Sequence, residues 1–152
     1  MRPWLAARVQ IGYCEIPLPF GEIEHSVQYA FGPEEIRAMQ ERFLRTAYLC
    51  MPNECAAWAV YNEHTGKLEY RTLLADTASP GGVEFHRPRL ADHEHLAIDL
   101  HSHGALPAFF SATDDADDMG EVKFSVVAGT LDRTPTFTSR LCLLGTFLGE
   151  AE

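Results

Sequence analysis

The sequence predicts a layered domain of the mixed α/β (α+β) class, and three observations carry that prediction. Residues 33–50 repeat their apolar positions at helical spacing. Several shorter stretches after them alternate at the two-residue period of half-buried strands. A second helical pattern near residue 112 falls between two of those strands, so the two signals are interleaved rather than segregated.

Length and composition narrow the possibilities. The 152 residues suit one domain with a core of its own. They are too few for a (β/α)₈ barrel, which takes roughly 200 or more. With 46% hydrophobic and 22% charged residues, the chain has the composition of a folded globular protein. No apolar run approaches the roughly 18–20 residues of a membrane helix. The start, Met1 to Arg8, lacks the apolar segment of a secretory signal, so the cytoplasm is the expected compartment. A net charge of −10 argues against nucleic acid as the main ligand, because phosphate binding needs a basic surface.

The elements follow in order. Residues 1–32 are broken by Pro3, Gly12, Pro17, Pro19, Gly21 and Gly32, and read as a strand-rich or irregular extension ahead of a domain over 33–149. The helix over 33–50 opens with Pro33 in its first turn, and Glu34 and Glu35 complement its dipole. Ile36, Met39 or Gln40, Phe43, Ala47 and Cys50 form its buried stripe. Pro52-Asn53 ends it. Residues 54–62 and 67–75 flank Glu63-His64-Thr65-Gly66 as a hairpin, with Trp58 in the core. Residues 76–94, rich in Pro and Gly, read as a loop, and Asp92-His93-Glu94-His95 as solvated within it. Residues 95–101 alternate as a strand, with His95, Ala97, Asp99 and His101 on one face. A short acidic helix over 112–119 and strands over 122–129 and 136–147 complete the chain. Cys14, Cys50, Cys55 and Cys142 form no CxxC pair, and all but Cys14 lie in apolar runs that suit buried free thiols.

The segment that carries chemistry is His101-Ser-His103-Gly-Ala-Leu-Pro-Ala-Phe-Phe-Ser111-Ala-Thr-Asp114. Two histidines two apart at the end of a strand project to one side, so both imidazoles can face one metal ion. Ser111 is placed to cap the acidic helix, which brings Asp114 into its first turn. Two histidines and one aspartate leave a fourth tetrahedral position for water, the arrangement of a catalytic zinc site. Nitrogen and oxygen ligands without thiolate suit Zn²⁺, and Mn²⁺, Fe²⁺ and Co²⁺ share that preference. Each part also has a plainer reading. Ser-x-x-Asp is an ordinary capping box, and His-x-His on a strand is more often structural than ligating. The run Asp114 to Asp118 complements the helix dipole, Phe109 and Phe110 plug the space under the loop or line a substrate groove, and Asp99 either orients a ligand imidazole or is solvated or capping.

The combined string, HxH, seven residues, Ser, two residues, Asp, resembles the JAMM motif of the JAB/MPN metalloprotease family. Within that family, HSHGALPAFFSATDDADDMG is most similar to the branch of PRTRC system protein A. The resemblance implies the mixed β-sheet flanked by helices shared with cytidine-deaminase-like proteins. It implies Zn²⁺ held by His101, His103 and Asp114, with Ser111 stabilising an oxyanion. An upstream glutamate, matched by Glu54 in preference to Glu63, Glu84 or Glu94, holds the attacking water. The implied activity is hydrolysis of a peptide or isopeptide bond at the C-terminus of a ubiquitin-like protein, with a ThiF/E1-like protein as a further partner. Non-catalytic members of the family, which bind or scaffold such partners, supply the alternative. Two departures stand out: Gly104 and Phe110 replace common prolines, and Cys55-Ala-Ala-Trp58 replaces glycines that commonly follow the glutamate.

Overall fold

A computed structural model describes residues 3–11 and 23–149; Cys14 and the remainder of the expected extension lie outside those ranges. Two strands open the described chain, β1 (Leu5–Ile11) and β2 (Ile23–Tyr29), paired antiparallel. Helix α1 spans Pro33–Cys50 as the sequence predicts. Gly32 caps it, its N–H donating to Glu35 Oε2 at 2.7 Å, which satisfies one of the amides that a helix start leaves open. Met39 rather than Gln40 belongs to the buried stripe, with Phe43 and Ala47. Phe43, fully buried, is worth about 3 kcal/mol or more against truncation to Ala.

Next come β3 (Ala56–Asn62) and β4 (Lys67–Thr72), the expected hairpin. Asn62 Oδ1 accepts from the amides of His64 and Thr65, and Gly66 takes φ +65°, which closes the turn without a Cβ penalty. The stretch expected as a loop holds a small hairpin of its own, β5 (Thr77–Ser79) and β6 (Gly82–Glu84), turning at Pro80-Gly81. Strand β7 (Glu94–Ser102), helix α2 (Ala112–Asp118) and strand β8 (Val122–Gly129) follow. The single strand expected over 136–147 is two, β9 (Thr136–Leu143) and β10 (Thr146–Gly149). Leu144 (φ +48°) and Gly145 (φ +96°) form between them the kind of two-residue turn that suits the twist of a hairpin.

The main sheet has the order β10-β9-β8-β7-β3-β4. All its neighbours are antiparallel except β7 and β8, which run parallel. Parallel neighbours need a crossover, and this one carries α2 and the whole His101–Asp114 segment. Side chains alternate along the strands except at Ala97, the extra residue where the β3–β7 register shifts. Leu96 therefore faces away from Ile98 and Leu100, and the uninterrupted alternation expected over 95–101 is broken there. Each face of the sheet builds its own core. One holds Ala57, Ala59, Ile98, Leu100, Phe124 and Val126, packed with Phe43 and Ala47 of α1 and with Trp4 and Phe31. The other holds Ala56, Trp58, Val60 and Leu96, packed with Val83, Phe85 and Leu90 from the β5–β6 region. Trp58 is in the core as expected. Cys55 and Cys142 are buried free thiols and Cys50 is half-buried.

Candidate metal centre

His101 lies in the last turn of pleat of β7, paired with Ala56 of β3 on one side and Val127 of β8 on the other. His103 follows just beyond the strand. Its N–H donates to Ala128 O at 2.8 Å, which prolongs the β7–β8 pairing by one step. Ser102 between them points the other way and is fully buried. Its Oγ accepts from the Cys55 amide at 3.0 Å, and its own amide donates to Cys55 O, so the end of β7 is tied to the segment that enters β3. The strand period thus sends both imidazoles to one side, and their Nε2 atoms stand 3.2 Å apart. His103 Nδ1 lies 3.3 Å from Pro107 O; a carbonyl only accepts, so Nδ1 donates there and Nε2 is the ring nitrogen left to face a metal ion. Burial holds the His101 pKa below its usual value, partly offset by the nearby Asp114 charge, which favours the neutral ring that ligation requires.

Asp114 arrives from α2. Ser111 is the N-cap: its Oγ accepts from the Asp114 amide at 3.3 Å, and both its amide and its hydroxyl donate to Asp114 Oδ2 at 2.6 Å. The other oxygen, Oδ1, stands 3.2 Å from His101 Nε2. The capping and ligand readings of Ser-x-x-Asp are therefore compatible, one carboxylate oxygen serving each. Ligand atoms of His101, His103 and Asp114 lie within 4.8 Å of one another. Ligands about 2.0–2.1 Å from a tetrahedral zinc are roughly 3.3–3.4 Å apart. The two separations of 3.2 Å fit that spacing with little adjustment. These three residues could hold one zinc ion.

Glu54 lines the same cleft of about 790 Å³, which also takes in Asp99, Lys123, Phe109 and the β6 strand. Its amide donates to Ser79 O at 2.9 Å, so the β5–β6 hairpin helps fix the glutamate. Only 7% exposed and near the Asp114 charge, its carboxyl is pushed up to about 7, burial being the larger cause. Glu84 is also on the cleft wall, where it accepts from Thr77 Oγ1 at 3.1 Å. Glu63 and Glu94 are engaged elsewhere, with His95 and Arg71 respectively. The four residues 92–95 are less free than a solvated loop: Glu94 and His95 belong to β7, and His93 stacks on His64 at 4.2 Å.

Several residues that shape the site carry no motif. Asp99 is largely buried rather than solvated, and its Oδ2 accepts from Lys123 Nζ at 2.6 Å. Lys123, 1% exposed, also reaches Asp118 Oδ1 at 2.9 Å, and Arg140 holds Asp118 Oδ2 at 2.7 Å. The acidic run is thus partly a buried charge network and not only a dipole complement. Phe109 packs edge-on against His103 with ring centroids 4.6 Å apart, and Phe110 lies against Arg140. Gly129 allows the ligand loop to approach: a Cβ there would lie 2.3 Å from Ala108 N and 2.5 Å from Leu106 O. Gly104 takes φ +55°, which proline cannot adopt, so this loop follows a course closed to the residue common at that position. A glycine ending an apolar strand, and basic residues inside apolar runs on facing strands, were the available signals.

Comparison with known proteins bears on the fold and the family. No curated protein matches the chain. Among solved structures, the solution structure of protein DSY2949 from Desulfitobacterium hafniense is similar, with a TM-score of 0.54 at 16% identity. The likeness covers 75% of this chain and 86% of that one, and at this identity it speaks to the fold alone. The sequence profile described as prokaryotic homologs of the JAB domain matches residues 37–142, a span that contains most of α1 and of β9, all of β3, β4, β7 and β8, and every ligand candidate. The chain belongs to that family of prokaryotic JAB-domain homologs.

Proposed function

We propose that the protein is a zinc-dependent peptidase or isopeptidase of the JAMM type, cleaving at the C-terminus of a ubiquitin-like protein. The observation that carries this reading is the convergence of His101, His103 and Asp114 in a cleft that also holds a buried Glu54. When bound, zinc supplies a Lewis acid that polarises the scissile carbonyl and makes water a competent nucleophile near neutral pH.

The chain's own residues do the rest. Two neutral imidazoles and one carboxylate are a hard-to-borderline donor set with a net charge of −1, and they leave one side open to the cleft. Glu54, with its carboxyl near 7, can both accept and return a proton at neutral pH, where an ordinary glutamate is a weak base. It takes the proton of the attacking water and hands it to the departing amine. Ser111 donates its hydroxyl to Asp114 at rest. Rotation of that hydroxyl towards the cleft supplies a hydrogen bond to the developing oxyanion, a contribution typically worth about 10²–10³ in rate. Exclusion of water also matters: Val83 and Glu84 of β6 and Leu106 and Phe109 of the loop before α2 line the cleft.

Similarity to the PRTRC branch directs the choice of substrate. A ubiquitin-like protein of a PRTRC system, extended at its C-terminus, is the substrate to incubate with the purified protein, and a ThiF/E1-like protein is the partner to add. Cleavage at the tail that chelator abolishes and zinc restores supports the proposal. Intact substrate in the presence of bound zinc, with a stable complex between the two proteins, favours a binding or scaffold module instead.

A further inference from the structure

Helix α2 is only seven residues long, too short to be stable by itself, yet it must hold Asp114 to within a fraction of an ångström. Its composition makes the difficulty greater. Asp117 and Asp118 sit at its C-terminal end, where the helix dipole disfavours negative charge, and Asp118 is 2% exposed. Something outside the helix has to fix it.

At the helix start much of that task falls on one guanidinium. Arg140 of β9 is paired with Ser125 of β8 and is 7% exposed. Its Nε and Nη2 donate to Asp118 Oδ2 at 3.1 and 2.7 Å, and its Nη1 donates to Asp115 Oδ1 at 2.5 Å. Its Cζ also stands 3.9 Å from the ring centroid of Phe110 and 4.0 Å from that of Phe147. Phe110 immediately precedes Ser111, and Asp115 immediately follows Asp114. A single rigid, planar group therefore grips the chain on both sides of the Ser111–Asp114 pair. Lys123 fixes the far carboxylate oxygen of Asp118 and leaves the Arg140 side to bear on the helix start.

We propose that Arg140, clamped between Phe110, Asp115 and Asp118, is a positioning residue that sets the Asp114 carboxylate for metal ligation. The energetics favour a geometric role over a stabilising one. A buried ion pair usually stabilises no more than a well-packed apolar substitute, because desolvation offsets the Coulomb gain. A fork that donates along two directions and presents flat faces to aromatic rings fixes orientation, which a lysine ammonium does not. The inference rests on the metal reading above, and its test separates the two.

The experiment uses the full chain with Arg140→Lys and Phe110→Leu, the second variant keeping every charge and replacing a half-buried ring. Circular dichroism and thermal melting establish that each is folded. Zinc affinity is measured by competition with a chromogenic chelator, and cobalt substitution reports the ligand geometry through its visible absorption. Hydrogen exchange over residues 111–115 is followed in the metal-free proteins, with α1 as the internal reference. The clamp predicts faster exchange confined to 111–115, zinc dissociation constants raised roughly tenfold and an altered cobalt spectrum. Folded variants with unchanged zinc affinity and spectrum overturn it, even if their melting temperatures fall, because that is the pattern of a purely structural contact. Should the unsubstituted protein bind no zinc, the metal reading fails by itself, and unchanged exchange over 111–115 then also removes the clamp.

Discussion

Glu54 shows how a single side chain ties the site to the stability of the protein. Its carboxyl is raised from 4.5 to about 7 by burial and by the Asp114 charge, so the folded state holds a proton that the unfolded state releases between those values. Folded protein binding more protons means that stability falls as pH rises through that window. His101 works in the opposite sense, because its lowered pKa makes the folded state bind fewer protons. Replacing Glu54 with Gln isolates the first effect. In metal-free protein, the unfolding free energy of the variant relative to the original should grow by about 3 kcal/mol from pH 4.5 to above pH 7. Denaturant titrations across that range check it; a difference that stays flat with pH would show an ordinary, solvated carboxylate. At this level the sequence was informative where spacing carried geometry. The convergence of His101, His103 and Asp114, with Ser111 as the cap, was legible because a strand and a helix cap dictate where their side chains go. Glu54 was legible only through resemblance, since neither burial nor the neighbouring charge is written in its local sequence. Lys123 and Arg140 were missed because a charge inside an apolar run reads as solvated until its partners on other elements are known.

The loop between β7 and α2 is held less by its own sequence than by the end of β8. His103 N–H donates to Ala128 O, Thr130 N–H to Leu106 O and Leu131 N–H to Gly104 O. Gly129 is what lets these bonds form, since it has no Cβ to meet the backbone of 106–108. Gly129→Ala should therefore displace the loop, destabilise the protein by about 1–3 kcal/mol and weaken zinc binding together with it. Chemical denaturation and a zinc competition assay read the two effects. A variant with unaltered stability and affinity would mean that the loop does not rest on this strand. The long helix was predictable to its ends because Pro33, two early glutamates and a regular apolar stripe all agree. The β5–β6 hairpin was not, because three-residue strands are too short to show an alternation. The division between β9 and β10 was hidden in a continuous apolar run, where the turn is made by Leu144 and Gly145 with no Asn or Asp to announce it.

The whole fold places the site where the parallel pair β7–β8 ends and its crossover begins, a position from which loops of several elements can converge. Its first residues are part of that frame. Trp4 is 1% exposed, with ring centroids 5.7 Å from Phe31 and 6.2 Å from Phe124 of β8. Trp4→Ala should destabilise the protein by about 3–5 kcal/mol in a single cooperative transition. Loss of a separate early phase, with the main transition unmoved, would instead show a segment that folds apart from the sheet. The layered class and the order of the main elements were legible from periodicity, whereas strand order depends on long-range pairing that no local pattern encodes. The account turns finally on whether one ion is held by three side chains that the sheet and a short helix bring within 4.8 Å of one another. The most direct measurement is the zinc content of the purified protein beside that of His101→Ala, His103→Ala and Asp114→Ala. About one zinc per chain, lost or greatly weakened in all three variants, is the expected result. Metal content that is the same in all four proteins would contradict it.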